Sequence, residues 1–371
     1  MGKKFKILLL PGDGIGPEVC KALKTVLNCV DKNISTGIDV DEDLIGGASF
    51  DEHKTPLSDN VLNKAKCSDA ILLGSVGGDK YDKLPFELRP ERGLLKIRKN
   101  LDLFANIRPA RVFSALTNSS SLKKNIVENM DIIVIRELTG GIYFGEPRGI
   151  EVLKDGSKKA INTEVYNTKE IIRLGKVGFE ISNNRKKIVH SVEKANVMET
   201  GILWREEIKK LQEKNFKQIS LHNMYADNCA MQMVRNPSQF DVIITSNLFG
   251  DILSDISAEL TGSLGMLPSA SLGENNENGF RLALYEPVHG SAPDIAGRNI
   301  ANPIAMIASF AMLADMSMGL KKISENIYKA IEIVLENGYR TKDIMDNNTK
   351  EVNTIDMGEL ISKELENLIQ A

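Results

Sequence analysis

The sequence predicts an α/β protein with a largely parallel sheet, and three observations carry the prediction. Short β-rich runs alternate with helical patterns along the chain, and those runs are apolar on both faces. A length of 371 residues leaves room for two lobes, each with its own core and with a cleft between them.

Taken in order, the first strand is KILLL (6–10), followed by a helix that opens at PGDGIGPE (11–18). Pro17 suits a first helical position, where its missing N–H costs nothing. Gly12, Gly14 and Gly16 fall as G-x-G-x-G rather than in the spacing of a dinucleotide-binding Rossmann turn, and Glu18 adds negative charge where a pyrophosphate would sit. The motif therefore reads as a tight strand-to-helix turn. DAILLGSV (69–76), DIIVIRE (131–137), KIVHSVE (187–193), QISLHNM (218–224) and DVIITSN (241–247) follow as strands, most of them leading into helices. Functional residues then belong at the strand C-terminal ends. PIAMIASFAMLADM (303–316) is too short to span a bilayer and is interrupted by Ser309 and Asp315, so it reads as a buried helix. GENNENG (273–279) reads as an exposed, mobile polar loop.

Bulk properties exclude several function classes. A net charge of −3 with no basic run argues against nucleic acid as the main partner. The apolar stretch ahead of Pro11 is too short for a secretory signal and no cleavage site follows, so a cytoplasmic location is expected. Cys20, Cys29, Cys67 and Cys229 show no C-x-x-C pairing, so neither disulfides nor structural zinc is expected.

Chemistry-bearing residues gather at strand ends. Arg98, Arg108 and Arg136 lie within forty residues, two of them at the ends of apolar runs. A single arginine is an ordinary ion-pair partner, but three so placed suggest a fork for carboxylate. Asp251 and Asp255 stand four apart on one helix. They could complement the helix dipole, or a hard cation, Mg²⁺ or Mn²⁺, could turn their mutual repulsion into coordination. Asp227 is a candidate third carboxylate, although spacing does not place it there. Tyr143, in a glycine-rich loop, and Lys194, at a strand end, are candidate proton handlers. Together these residues describe a metal-assisted enzyme acting on a small carboxylate.

The stretches RPERGLLKIRKNLDLFANIRP (89–109), RELTGGIYFGEPRG (136–149), NMYADNCAMQMVRNP (223–237), NLFGDILSDISAELTGSLGMLPSASLG (247–273) and YEPVHGSAPDIAGRNIANP (285–303) resemble the β-decarboxylating dehydrogenases almost end to end. The resemblance implies the two-lobed isocitrate/isopropylmalate dehydrogenase fold, with a mixed, largely parallel sheet and no Rossmann domain. Residues 1–103 plus 262–371 would form a cofactor lobe, and 104–261 a lobe for substrate, metal and dimerisation.

By the same resemblance, NAD would lie against His289, Gly290, Ser291 and Ala292, with Asn302 near the adenine. Asp294 would hold the ribose hydroxyls and reject a 2′-phosphate, and Glu91 would approach the nicotinamide side. Arg98, Arg108 and Arg136 would bind the two carboxylates of a malate. Asp251 and Asp255, with Asp227 of a second subunit, would hold Mg²⁺ or Mn²⁺. Lys194, also from the neighbour, would take the hydroxyl proton directly or through Asp227, and Tyr143 would protonate carbon. Leu94, Leu95 and Val197 would form an apolar pocket for an alkyl substituent, where an isocitrate-type acid would need polar contacts. An obligate homodimer with shared sites is implied. The alternatives are a relative for tartrate, malate or another alkylmalate, and an inactive paralogue serving as a regulatory subunit.

Overall fold

A computed structural model describes residues 4–34, 37–275 and 281–371. Part of the GENNENG loop, 276–279, lies outside the described residues. The chain divides into two compact units: Met1–Leu103, Val112–Glu128 and Ala258–Ala371 form the first, Phe104–Arg111 and Asn129–Ser257 the second. Val112–Glu128 thus departs from the expected 104–261 lobe. Leu116 is buried there, and the Arg340 guanidinium donates to the Ala115 carbonyl at 2.9 Å, both within the first unit.

In the first unit, Phe5–Gly12 lies between the parallel strands Ile38–Glu42 and Ala70–Ser75. Arg281–Pro287 runs parallel to Ala70–Ser75, and Pro268–Asn275 pairs antiparallel with it. Ile7 to Leu10 and Ala70 to Leu73 are fully buried, as the apolar character of both faces requires. The helix Gly16–Asn33 presents Val19, Leu23, Val26, Leu27 and Val30 inward at helical spacing. Ile304–Met316 is buried on all sides through Ala314, which explains why it carries no polar face.

In the second unit, Asp131–Glu137, Val242–Thr245, Ile188–Glu193 and Ser220–Tyr225 run parallel, and Ala105–Arg111 is antiparallel to Asp131–Glu137. The register sets Arg136 beside Thr245, Thr245 beside Val192 and Glu193 beside Tyr225. Arg136, Asn247, Lys194 and Asp227 therefore leave the sheet along one C-terminal edge. The flanking helix Thr168–Asn183 starts in a capping box, Asn167 accepting from the Glu170 N–H while the Glu170 carboxylate accepts from Asn167 N–H. No described helix is long and apolar enough to cross a membrane.

Within this sheet His190 is buried, stacked on His222 with ring centroids 5.1 Å apart and edge-on to Phe240 at 4.6 Å. Burial first, and His222 second, push its pKa down to about 4. Below the ordinary pKa of 6.5 the unfolded chain takes a proton that folded His190 refuses, so stability falls with acid until about pH 4. Urea denaturation should show about 2 kcal/mol of this loss between pH 7 and pH 5, absent in His190→Phe. An equal acid slope in both proteins would count against it.

Candidate active site

The acidic and basic candidates of the second unit form one cluster. Arg136, near the end of its strand, is almost fully buried, and its Nη1 bonds Asp251. Its Nε and Nη2 both donate to Asn247 Oδ1, at 3.0 and 2.9 Å. Arg108 is held extended before Pro109, as the pre-proline restriction requires. Its Nε donates to Asn106 Oδ1 and its Nη1 to Ser254 Oγ, both at 2.6 Å. Nη1 also faces Asp251 at 3.6 Å and Asp255 at 3.9 Å. Two guanidinium groups are thus each held by several side-chain partners, which favours recognition of an anion.

Asp251 and Asp255 project one turn apart from the helix Asn247–Thr261, with side chains 36% and 65% exposed. Burial, then the Asp251 charge, raises the pKa of Asp255. A hard cation would relieve that repulsion, so the oxygen donors suit Mg²⁺ or Mn²⁺. Among the described residues no group of three His, Cys, Asp or Glu side chains could hold a metal ion, so one chain offers this pair and no third such ligand. Tyr143 donates to Asp251 Oδ2 at 3.2 Å, and burial, then the Asp251 charge, raises its pKa. A phenol so disposed keeps its proton and is suited to give it up as an acid.

Asp227 stands instead with Lys194. Lys194 follows the strand Ile188–Glu193, Asp227 opens the helix Ala226–Arg235, and Nζ donates to Oδ1 at 2.6 Å. The ammonium holds the Asp227 carboxyl below its ordinary value. Val197, three residues on, is 68% exposed.

Arg98 does not share this unit. It lies at the end of the helix Glu91–Asn100 in the first unit, where its Nη2 bonds the buried Glu286. Its Nε is buried without a hydrogen-bond partner among the described residues. Leu94 packs against the core cluster around Ile97 and Leu103, and Leu95 is half-buried on the same helix.

The first unit also carries the cofactor candidates. Ile15 N–H donates to the Ser291 carbonyl at 2.9 Å, so the PGDGIGPE turn abuts the HGSAPDIAG segment. Gly14, at φ +58°, is what allows this: an added Cβ would stand 2.0 Å from Ser291 O. The glycines thus admit the protein's own backbone, and the Glu18 carboxylate accepts from Gly297 N–H and, at 2.7 Å, from Asn299 N–H. Ala292 takes the left-handed conformation at φ +40°, and Gly290 and Asp294 are exposed. Glu91 is exposed at the start of its helix; its Oε1 would lie 3.0 Å from a Cβ on Gly77.

His289 Nδ1 lies 2.9 Å from the Gly290 carbonyl, burial lowers its pKa, and Nε2 is buried without a protein partner. An unpartnered ring nitrogen on the segment that also carries the exposed Asp294 and Gly290 suits a ligand with hydroxyl and heterocyclic groups. Asn302, expected near the adenine, has an engaged side chain. Its amide is buried and already committed, Nδ2 to Asp343 at 3.0 Å and Oδ1 accepting from Ile304 N–H at 3.0 Å.

Three residues shape the site without having been legible as candidates. Asp13, buried in the first unit, accepts from the N–H groups of Gly47, Ala48 and Gly77 at 2.8, 2.8 and 2.9 Å and so fixes the loop beside Glu91. In the second unit Glu137 holds the turn ahead of Tyr143, and Asn247 holds Arg136. Only the capping preference of acidic and amide side chains could have hinted at them.

The sequence profile of the family described as isocitrate/isopropylmalate dehydrogenase matches residues 6–361. The chain is 55% identical over 364 residues to a 3-isopropylmalate dehydrogenase of Pelagibacter ubique, covering 98% of this chain and 99% of that relative. It is 53% identical over 363 residues to one of Paramagnetospirillum magneticum, covering 98% of each. Among solved structures it resembles an isocitrate dehydrogenase from Methylococcus capsulatus, with TM-score 0.85, 30% identity and coverage of 98% and 99%. A β-decarboxylating dehydrogenase from Thermococcus kodakarensis matches with TM-score 0.77, 30% identity and coverage of 99% and 97%.

Proposed function

Because the chain belongs to the isocitrate/isopropylmalate dehydrogenase family, we propose that it catalyses the NAD-dependent oxidative decarboxylation of (2R,3S)-3-isopropylmalate to 4-methyl-2-oxopentanoate and CO₂, the oxidative step of leucine biosynthesis. Family membership supports a decarboxylating dehydrogenase for an alkylmalate-type acid; the particular acid is our reading. One observation carries it: Arg108, Arg136, Asp251, Asp255 and Tyr143 form a single cluster of fixed anion-binding groups, oxygen donors and a proton-bearing phenol.

The guanidinium groups of Arg108 and Arg136 orient substrate carboxylate, and Arg98 is assigned the same task. Asp251 and Asp255 hold Mg²⁺ or Mn²⁺, with Asp227 supplied by a second subunit. A cation held there would polarise the hydroxyl and then the keto oxygen, and NAD held by the first-unit residues would supply the hydride acceptor for C2. The hydroxyl proton leaves to the Lys194–Asp227 pair, the β-keto acid loses CO₂, and Tyr143 returns a proton to carbon. Leu94, Leu95 and Val197 exclude the polar substituent of an isocitrate-type acid. Glu91, His289, Gly290, Ser291, Ala292, Asp294 and Asn302 are assigned to NAD, Asn302 by its backbone surroundings since its amide is engaged.

A cytoplasmic homodimer with shared sites completes the reading. Supporting it, Val197, Ile202, Met231, Val234 and Ile252 of the second unit are exposed, as are Ile150 and Val152 on the strand Gly145–Val152, which pairs antiparallel with Lys158–Thr163. So many exposed apolar side chains on one unit mark an interaction surface.

The test is NADH formation with 3-isopropylmalate, isocitrate, tartrate and malate in parallel, each with Mn²⁺ and then with chelator. Metal-dependent turnover favouring 3-isopropylmalate is expected. Turnover of another acid alone would overturn the substrate assignment, and silence with all four would favour an inactive regulatory paralogue.

A further inference from the structure

Resting on that reading of Arg136 and Tyr143, we propose that Asn247 is a positioning residue whose single amide aligns both the carboxylate-binding guanidinium and the segment that carries the proton donor. Asn247 is only 1% exposed and opens the helix that bears Asp251 and Asp255. Its backbone N–H donates to the Tyr166 hydroxyl at 2.8 Å, which fixes the residue at the strand end. Its side chain then works in two directions. Oδ1 receives both Nε and Nη2 of Arg136, which turns the remaining Nη1 toward Asp251. Nδ2 donates to the Gly140 carbonyl at 3.2 Å.

Gly140 is the base of the Tyr143 segment. On its other side the buried Glu137 carboxylate accepts from Gly140 N–H at 2.7 Å and from Thr139 N–H and Oγ1 at 2.9 and 2.7 Å. The single helical turn Gly141–Tyr143 follows directly, and the Tyr143 hydroxyl reaches Asp251, one turn along the helix that Asn247 begins. The position therefore needs an acceptor on one side and a donor on the other at fixed reach. Aspartate lacks the donor, leucine lacks both, and glutamine is one methylene too long. None of these demands arises from packing, since an apolar residue of equal volume would fill the same space.

The experiment has two arms. In the whole protein without substrate, selectively ¹⁵N-labelled arginine reports exchange of the Arg136 Nε–H, assigned by its loss in Arg136→Lys. A slowly exchanging signal is expected in the wild type and a rapidly exchanging one in Asn247→Ala; equal rates would overturn the proposal. In the kinetic arm, Asn247→Ala should lower kcat/KM for 3-isopropylmalate by about 10²-fold, through both a raised KM and a lowered kcat. A residue of purely structural importance would lower active-site concentration and leave KM alone. Combined with Arg136→Lys or with Tyr143→Phe, the loss should fall well short of the product of the single losses. Full multiplication with both would show that Asn247 acts through neither, and would overturn the proposal. If the wild type fails to turn over 3-isopropylmalate, the functional reading falls, and the exchange arm alone then decides whether Asn247 holds Arg136.

Discussion

Lys194→Met should lower kcat by about 10³-fold, the scale of a lost proton-transfer group, with little change in melting temperature. The expectation follows from geometry. Nζ sits 2.6 Å from Asp227 Oδ1 at the edge where Arg136 and Asn247 also leave the sheet, and methionine keeps the length of the side chain while removing the charge. Asp227 is 64% exposed, so the ion pair contributes little to folding and its loss should appear in rate rather than stability. A variant with wild-type kcat would remove Lys194 from the mechanism. Mixing it with Asp255→Asn then examines the sharing of sites. If Lys194 serves the neighbour's site, mixed dimers regain one intact site each, about a quarter of full activity in a random two-fold assembly. Activity that never returns after subunit exchange would place Lys194 and Asp255 in the same subunit's site.

Gly14→Ala should destabilise the protein by about 2–5 kcal/mol and raise KM for NAD. Two terms add. At φ +58° a side chain is strained, and the new Cβ would meet Ser291 O at 2.0 Å and Ser291 C at 2.7 Å. Both obstructing atoms are backbone, so no rotamer change relieves them, and the displaced segment is the one assigned to NAD. Gly156→Ala is the control. Its φ is +82° with nothing within 4 Å of the added Cβ, so it bears the strain alone, about 1 kcal/mol. Thermal melting of the pair, with NAD titration, separates the two terms. Equal melting temperatures would mean that the approach to Ser291 carries no energy.

The parallel strands were legible because Ile7–Leu10, Ile71–Leu73 and Val242–Ile244 are apolar at every position, a pattern that demands burial on both faces. The strands Ala105–Arg111 and Pro268–Asn275 were not legible at all, since ANIRPAR and PSASLGEN interrupt any apolar run with proline and polar side chains, and their antiparallel pairing was hidden with them. Among site residues, Arg108, Arg136, Asp251 and Asp255 announce themselves because charge at the end of an apolar run, or at helical spacing, is locally unusual. Arg98 misleads. It is ten residues from Arg108, yet the chain passes from one unit to the other at Phe104, and its bonded partner Glu286 is 188 residues away. Asn247, Glu137 and Asp13 stayed hidden for a related reason: a buried amide or carboxylate is defined by what it bonds, and Arg136 lies 111 residues from Asn247.

The division of the chain has a consequence for the order in which the protein can be made. The polypeptide passes between the units at Phe104, Val112, Asn129 and Ala258. On a ribosome the second unit is complete once Ser257 has emerged. The first unit is not, although its opening strands precede the second unit in the chain. The strand Phe5–Gly12 and the helix Gly16–Asn33 must wait for Arg281–Pro287, for the all-apolar helix Ile304–Met316 and for Thr354–Gln370, which packs against Gly16–Asn33. The strand Phe5–Gly12 and the helix Gly16–Asn33 are therefore still uncovered when the second unit is complete. The usual sequence of N-terminal maturation first is inverted, and a nascent chain arrested anywhere before Ile304 exposes Ile7–Leu10 and Ile71–Leu73 to chaperones or to aggregation.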